Sequence, residues 1–185
     1  AAATVAMRYG MAPETVARIL ASQHTISPHR MALSTVNREG TSFTLIDDSF
    51  NANPDSMKAG LNGLKAWNSN DGKEPFRVAL LGAMLELGAD ETALHTSIGT
   101  YADELGIDAI IAVGSAQDQH LDALAQALAD GARQSQSASV DCVHDIDAAE
   151  QLVIDLARNH PDAVVLLKGS HASGLSALAE RWAKN

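Results

Sequence analysis

Short polar side chains that could bind a ligand are concentrated in one stretch, directly after an apolar run. Asp47 and Asp48 are adjacent carboxylates, and the amides of Asn51 and Asn53 follow them closely. A carboxylate can accept hydrogen bonds from both hydroxyls of a ribose, as the acidic residue of other nucleotide-binding folds does. We therefore expect Asp48 to contact a ribose, Asn51 to orient the nucleotide and Asn53 to orient the substrate. The alternative is a capped turn with solvated acids, in which Asn53 is only a helix cap.

A second cluster lies near the end of the chain, at Lys168-Gly169-Ser170. A lysine that leaves a strand beside the free N–H groups of a helix start is suited to binding an anion. Ser170 or Ser173 can cap the helix that follows. The alternative is a solvated lysine next to an ordinary cap.

The stretch between these clusters contains two further candidates. Glu86 lies in a long loop bounded by glycines and is either solvated or a substrate contact. His95 falls in the next predicted helix, where a partly buried structural histidine is the simpler interpretation. No pair of histidines has zinc-ligand spacing with cysteine or carboxylate, so we predict no structural metal.

Neither of the common glycine-rich phosphate motifs occurs in the chain. There is no Gly-x-x-x-x-Gly-Lys-Ser/Thr loop and no Gly-x-Gly-x-x-Gly fingerprint. The chain by itself is therefore not expected to cradle a triphosphate or a dinucleotide.

The elements that position these residues alternate between strand and helix. The predicted strands are 31–36, 41–47, 77–81, 109–113, 140–143 and 163–167, and the predicted helices are 54–67, 90–105, 117–129, 146–157 and 175–182. This alternation predicts an α/β fold with a doubly wound, mainly parallel, Rossmann-like sheet of about six strands. The first two strands form a hairpin around a turn at 37–40, which makes one edge strand antiparallel. Loops that follow parallel strands share one edge, so loops 47–53, 82–88, 114–115 and 168–173 should converge.

A helical segment precedes the sheet. Residues 1–10 are rich in alanine and end at a glycine, and a second helix is predicted from Ala12-Pro13-Glu14 to about Gln23. A chain that begins inside a helix has the appearance of a fragment.

Composition narrows the class of protein. The chain has 185 residues, 46% of them hydrophobic and 19% charged, which is typical of a globular protein. A formal net charge of −10 argues against nucleic acid or an anionic membrane as a partner. Cys142, the single cysteine, is expected to be a buried thiol in a reducing compartment, and no apolar run is long enough for a membrane span. We therefore expect a cytoplasmic protein.

Three stretches of the chain resemble the C-terminal domain of the Mur ligases. They are Leu-Ile-Asp-Asp-Ser-Phe-Asn-Ala-Asn-Pro-Asp-Ser-Met at 45–57, Leu-Leu-Gly-Ala-Met-Leu-Glu-Leu-Gly at 80–88 and Lys-Gly-Ser-His-Ala-Ser at 168–173. They occur in the family's order and span nearly the whole chain. Ser-Pro-His-Arg-Met at 27–31 is similar to the family's element before the domain junction, with His29 where many relatives have glycine. Ala83 stands where relatives commonly have aspartate.

The resemblance implies roles for individual residues. Asp48 and Arg30 would meet ATP, whose phosphates and Mg²⁺ are bound mainly by the family's central domain. The corner formed by Lys168, Ser170 and Ser173 would hold the carboxylate of an incoming amino acid or dipeptide. Residues 1–30 would be the helical tail of the central ATP-binding domain, and residues 31–185 the C-terminal domain.

The resemblance also implies an activity. The motif at 45–57 is most similar to that of Mur ligases that add D-alanyl-D-alanine to UDP-N-acetylmuramoyl-tripeptide in peptidoglycan synthesis, through an acyl phosphate. The fragment alone would be inactive, because its central and N-terminal domains are also needed. The alternatives are a domain of another Mur ligase or of a folylpolyglutamate synthase type ligase, and a non-catalytic flavodoxin-like binding module.

Overall fold

The computed structural model describes residues 2–22, 29–68, 73–134 and 138–184. The strands are β1 Ala32–Arg38, β2 Thr41–Asp48, β3 Arg77–Gly82, β4 Ala109–Val113, β5 Ser139–Val143 and β6 Val164–Lys168. The α-helices are α1 Ala2–Arg8, α2 Pro13–Ala21, α3 Pro54–Ala66, α4 Glu91–Glu104, α5 Gln119–Ala132, α6 Ile146–Asn159 and α7 Leu175–Ala183. Short 3₁₀ turns precede α4 at Gly88–Asp90 and α7 at His171–Ser173. The described residues therefore confirm the predicted alternation of strand and helix.

One six-stranded sheet organises the molecule, with strand order β1-β2-β6-β3-β4-β5. Only the β1–β2 pair is antiparallel, and the other four pairs are parallel. The predicted fold class is confirmed. The order places β2, β6 and β3 side by side, so that Asp48, Lys168 and Leu81 lie level with one another at the carboxyl edge.

Helices cover both faces of the sheet. On one face, Met57, Leu61 and Leu64 of α3 are fully buried in a core shared with α4 and α5. On the other face, Val153 of α6 and Leu178 of α7 pack in a second core. Central strands buried on both faces explain the continuous apolar runs in the sequence.

The hairpin turn differs from the prediction. The sequence suggested a four-residue turn at 37–40, but β1 continues to Arg38, which pairs with Thr41. The turn is therefore the two residues Glu39 and Gly40, both with positive φ, of 46° and 79°. Two-residue turns of this kind match the right-handed twist of the strands they connect.

One predicted helix start and one predicted helix cap also need correction. Helix α5 begins at Gln119 rather than at 117, because the Asp118 side chain accepts hydrogen bonds from the first N–H groups of the helix. Neither Ser170 nor Ser173 caps α7, since Gly174 occupies the N-cap position with a φ of 75°. The Ser173 hydroxyl instead donates to the Ser170 carbonyl oxygen at 2.6 Å.

The first two helices pack against each other, and Val16 is the buried residue of α2. The predicted end of α2 at Gln23, and the Ser-Pro part of the 27–31 element, lie outside the described residues.

Cys142 lies on β5 as predicted and is half-buried, and this burial raises the pKa of its thiol. No helix within the described ranges is long and apolar enough to span a membrane.

Candidate functional site at the carboxyl edge of the sheet

The loops that follow β3 and β6 are joined by unusually close packing. A Cβ at Gly82 would lie 2.3 Å from the Cβ of Ser173, and a Cβ at Gly169 would lie 3.0 Å from the Cα of Gly82. Only glycine permits this approach. It brings the Ser170 N–H within 2.9 Å of the Ala83 carbonyl oxygen, so that two of the predicted loops form one surface.

Lys168 is buried between the β6 strand end and the loop after β2. Its side chain is 2% exposed, and its ammonium lies 2.9 Å from the Asp48 Oδ2 atom. The same nitrogen donates to the carbonyl oxygens of Asn51 at 2.7 Å and Asp48 at 3.4 Å. An ammonium has three protons to donate, so Lys168 is saturated by groups of the protein. The solvated-lysine alternative is wrong.

Asp48 has capacity left for a ligand. Its side chain is 17% exposed; Oδ2 pairs with Lys168, and Oδ1 accepts from the Met31 N–H at 3.3 Å. A carboxylate offers about four lone-pair positions, so two further hydrogen bonds remain possible. This capacity fits the two hydroxyls of a ribose.

The two asparagines of the loop have different tasks. The exposed Asn51 accepts from the Ala52 N–H at 2.8 Å through its own Oδ1. Asn53 is the N-cap of α3: its Oδ1 accepts from the Ser56 N–H at 2.8 Å, and the Ser56 hydroxyl accepts from the Asn53 N–H at 3.0 Å. The capping prediction for Asn53 is confirmed, and its predicted substrate contact stays a prediction.

The segment before β1 lies against this loop. The His29 Nδ1 atom is 2.7 Å from the Asp47 Oδ2 atom, and the His29 carbonyl oxygen accepts from the Phe50 N–H at 3.1 Å. The φ angle of His29 is 57°, in the left-handed region where glycine is favoured. The hydrogen-bonding contact with Asp47 helps to offset the cost of a histidine at that position. The sequence analysis assigned no role to His29 or Asp47. The feature that could have indicated their contact is the histidine at position 29, where many relatives have glycine.

Arg30 is exposed and lies over an exposed aromatic ring. Its guanidinium carbon is 4.2 Å from the centroid of the Phe50 ring, and that side chain is 45% exposed. This cation–π contact places a positive charge beside the Asp48 loop. The structure thus brings Arg30, Asp48 and Asn51 to one side of the edge.

The loop after β3 is fixed from behind by His95. The fully buried imidazole accepts from the Met84 N–H at Nε2, 2.8 Å away, and Nδ1 lies 2.7 Å from the Glu91 carbonyl oxygen. Burial lowers the pKa of His95, more than the hydrogen bond to Glu91 raises it. The structural interpretation of His95 is therefore supported. Glu86, in the same loop, is exposed with a φ of 61°, and its predicted substrate contact stays a prediction.

Ser170 carries the one side-chain oxygen at this edge that is buried and lacks a hydrogen-bond partner among the described residues. The residue is 4% exposed. Leaving a buried hydroxyl unpaired costs about 1–3 kcal/mol, which a ligand oxygen or a water would recover. In the predicted loop 114–115 and just after it, the N–H groups of Gly114 and Ala116 donate to the carbonyl oxygens of Val143 and His144, which joins this loop to the β5 side of the sheet.

A match to a protein-family model shows which family the chain belongs to. The model for the Mur ligase, glutamate ligase domain matches residues 29–171. The chain belongs to this family. The matched range includes all eight residues predicted to contact nucleotide or substrate except Ser173.

Two kinds of relatives agree with this Mur ligase assignment. The UDP-N-acetylmuramoyl-tripeptide--D-alanyl-D-alanine ligase of Mycobacterium tuberculosis is 38% identical over 97% of this chain and 36% of its own length. A crystal structure of MurF from Acinetobacter baumannii has a TM-score of 0.73 and 24% identity over 97% of this chain and 35% of that one. MurF ligase from Thermotoga maritima in complex with ADP has a TM-score of 0.59 and 22% identity, over 94% of this chain and 36% of that one. The Mur ligase domain described here spans about a third of the length of these relatives.

Within the described ranges of this Mur ligase domain, no three His, Cys, Asp or Glu side chains come together so that they could hold a metal ion.

Proposed function

We propose that this chain is the C-terminal, nucleotide- and substrate-contacting part of an ATP-dependent ligase that joins D-alanyl-D-alanine to UDP-N-acetylmuramoyl-tripeptide. The observation that carries the proposal is the 38% identity to the Mycobacterium tuberculosis ligase over 97% of the chain. Residues 1–30 would belong to the central domain of that ligase and residues 31–185 to its C-terminal domain. The tripeptide carboxylate would be activated as an acyl phosphate, which the dipeptide amine then attacks.

The proposed nucleotide contacts lie at the carboxyl edge of the sheet, on the loop after β2 and the segment before β1. Asp48 retains acceptor capacity for the ribose hydroxyls, and Asn51 lies on the same loop. Arg30 supplies an exposed guanidinium for ribose or phosphate. Phosphate and Mg²⁺ would be held mainly by the central domain, which would supply the charge that activates the carboxylate.

The dipeptide is proposed for the corner after β6, next to the loop after β3. The unpaired Ser170 hydroxyl is the group there that a ligand would satisfy, with Ser173, Glu86 and Asn53 as further candidates. Direct binding of the dipeptide carboxylate by Lys168 would require one of its three present acceptors to be released.

The test compares this chain with the complete ligase. We expect D-alanyl-D-alanine-dependent release of phosphate from ATP, with UDP-N-acetylmuramoyl-tripeptide present, by the complete ligase and not by the 185-residue chain. In the same preparation, ligation of glutamate to a folate acceptor tests the folylpolyglutamate synthase alternative. Binding of flavin tests the flavodoxin-like alternative. Ligation of glutamate instead of the dipeptide, or turnover by the chain alone, would overturn the proposal.

A further inference from the structure

We infer that Lys168 is a positioning residue of the nucleotide site: it contacts no substrate, and it holds the loop 48–51 in the shape that presents Asp48 to the nucleotide. The inference rests on the proposed function and gives Lys168 a different task from the one its sequence context predicted. It is carried by the position of the ammonium, the identity of its three acceptors and the space left for its stem.

The ammonium joins the two ends of the loop. Asp48 is the last residue of β2 and lies opposite Lys168 in the parallel register of β2 and β6. The same nitrogen reaches the carbonyl oxygen of Asn51, three residues further along the chain. One buried cation therefore fixes both the carboxylate and the turn of the backbone after it.

The three contacts leave no proton for an incoming carboxylate. The side chain is 2% exposed, and each ammonium proton has an acceptor within the protein. A buried ion pair that loses one partner leaves an uncompensated charge, which is strongly unfavourable. A substrate carboxylate would have to displace Asp48 or a backbone carbonyl and would gain little by the exchange.

The neighbouring helix is shaped around the lysine stem. A Cβ at Gly60 of α3 would lie 3.2 Å from the Lys168 Cδ atom and 3.8 Å from the Asp48 Oδ2 atom. Glycine is otherwise unfavourable in a helix interior, by roughly 1 kcal/mol relative to alanine. Its presence at this point provides the slot in which the lysine stem lies, and a larger side chain there would press on the stem.

Amide hydrogen exchange in the 185-residue chain tests the positioning itself. In Lys168→Met we expect the amides of residues 49–53 to exchange at least tenfold faster than in the unmodified chain. Arg77→Met is the matched control, because it removes a buried cation at the other edge of the sheet and should leave these amides protected relative to the rest of the fold. If Lys168→Met folds poorly, Gly60→Ala perturbs the same stem with the charge retained and should raise the exchange of the same amides. Unchanged exchange of residues 49–53 would overturn the inference.

Steady-state kinetics of the complete ligase test what the positioning serves. Lys168→Met should raise the KM for ATP at least tenfold and leave the KM for D-alanyl-D-alanine within twofold. A rise for the dipeptide alone would restore the direct carboxylate contact, and an equal rise for both substrates, or none for ATP, would also overturn the inference. A complete ligase without any ligation activity would refute the proposed function, and the exchange measurement would still decide the role of Lys168 in the loop.

Discussion

Two buried cations lie at opposite ends of helix α3. The Lys168 ammonium contacts the loop that precedes α3, at the carboxyl edge of the sheet, and Arg77 lies at the last turn of α3, at the amino edge. Arg77 is 3% exposed and donates to the carbonyl oxygens of Leu64, Trp67 and Pro75 at 3.1–3.4 Å. The Leu64 and Trp67 carbonyls lie at the C-terminal end of α3, where a cation complements the helix dipole, and the Pro75 carbonyl lies just before β3.

The acceptors explain the difference between the two cations. Arg77 donates to backbone carbonyls at the end of α3 and before β3, away from the proposed site, so its contribution is to the stability of the fold. Lys168 holds a carboxylate and a loop carbonyl that no strand or helix would hold in place, so its contribution is to the geometry of the proposed site. Burial of a charge therefore does not by itself indicate function; the groups that the charge holds in place do.

The largest expected effect is on stability, at the amino edge. Arg77→Met removes the guanidinium that donates to three carbonyl oxygens, of which only that of Leu64 keeps a described second donor, the Trp67 N–H, and we expect the free energy of unfolding to fall by about 3–5 kcal/mol. Urea denaturation of the 185-residue chain measures it. Arg133→Met, which removes a 43% exposed guanidinium paired with Asp130, should change stability by less than about 1 kcal/mol. If both variants lost the same free energy of unfolding, the burial of Arg77 would not explain its contribution to stability.

The next effect is on nucleotide use, at the carboxyl edge. Asp48→Ala in the complete ligase should reduce kcat/KM for ATP by about 10- to 150-fold, which corresponds to 1.5–3 kcal/mol for hydrogen bonds to a charged group. The unmodified enzyme should lose a similar factor with 2′,3′-dideoxy-ATP, and the variant should lose little more with it. An unmodified enzyme that is indifferent to the missing hydroxyls would count against the ribose contact.

The third effect is a pH dependence of stability. Burial lowers the pKa of His95 in the folded chain, so below the ordinary histidine pKa the unfolded chain binds more protons than the folded one. Stability should therefore be fully present above about pH 6.5 and fall as the solution is acidified, by at most about 1.4 kcal/mol per pH unit for one proton. Denaturation at pH 7.5 and 5.5 checks this. His95→Gln should show a flatter dependence, and an identical slope in both proteins would exclude His95 as its source.

The smallest effect concerns the unpaired hydroxyl. Ser170→Ala removes a buried group without a described partner, so we expect stability to stay the same or rise by up to about 1 kcal/mol. Ser173→Ala is the matched control, since it removes a hydroxyl that donates to the Ser170 carbonyl oxygen and should lower stability. In the complete ligase, Ser170→Ala should raise the KM for the dipeptide. A stability loss as large as that of Ser173→Ala would mean that the Ser170 hydroxyl already has a partner within the fold.

The sequence by itself determined the features that depend on neighbouring residues. The Asn53 cap followed by Pro54 starts α3 where predicted, because both signals act within one turn of the helix. Strand β4 matches its predicted bounds, since a short run of branched apolar residues suits a strand buried on both faces. The parallel order of strands also follows from their alternation with helices.

Only the tertiary structure decided the environment of the charged and polar side chains. The Lys168 ammonium has an acceptor for each proton because Gly60 leaves room for its aliphatic stem and the loop after β2 folds over it. Neither fact can be inferred from the residues around position 168. Ser170 fails to cap α7 because Gly174 takes the N-cap position after a 3₁₀ turn. The contact of His29 with Asp47 joins residues 18 positions apart. For Lys168 and His29 the deciding partner comes from a distant part of the chain, and a local pattern carries no information about how closely distant elements approach.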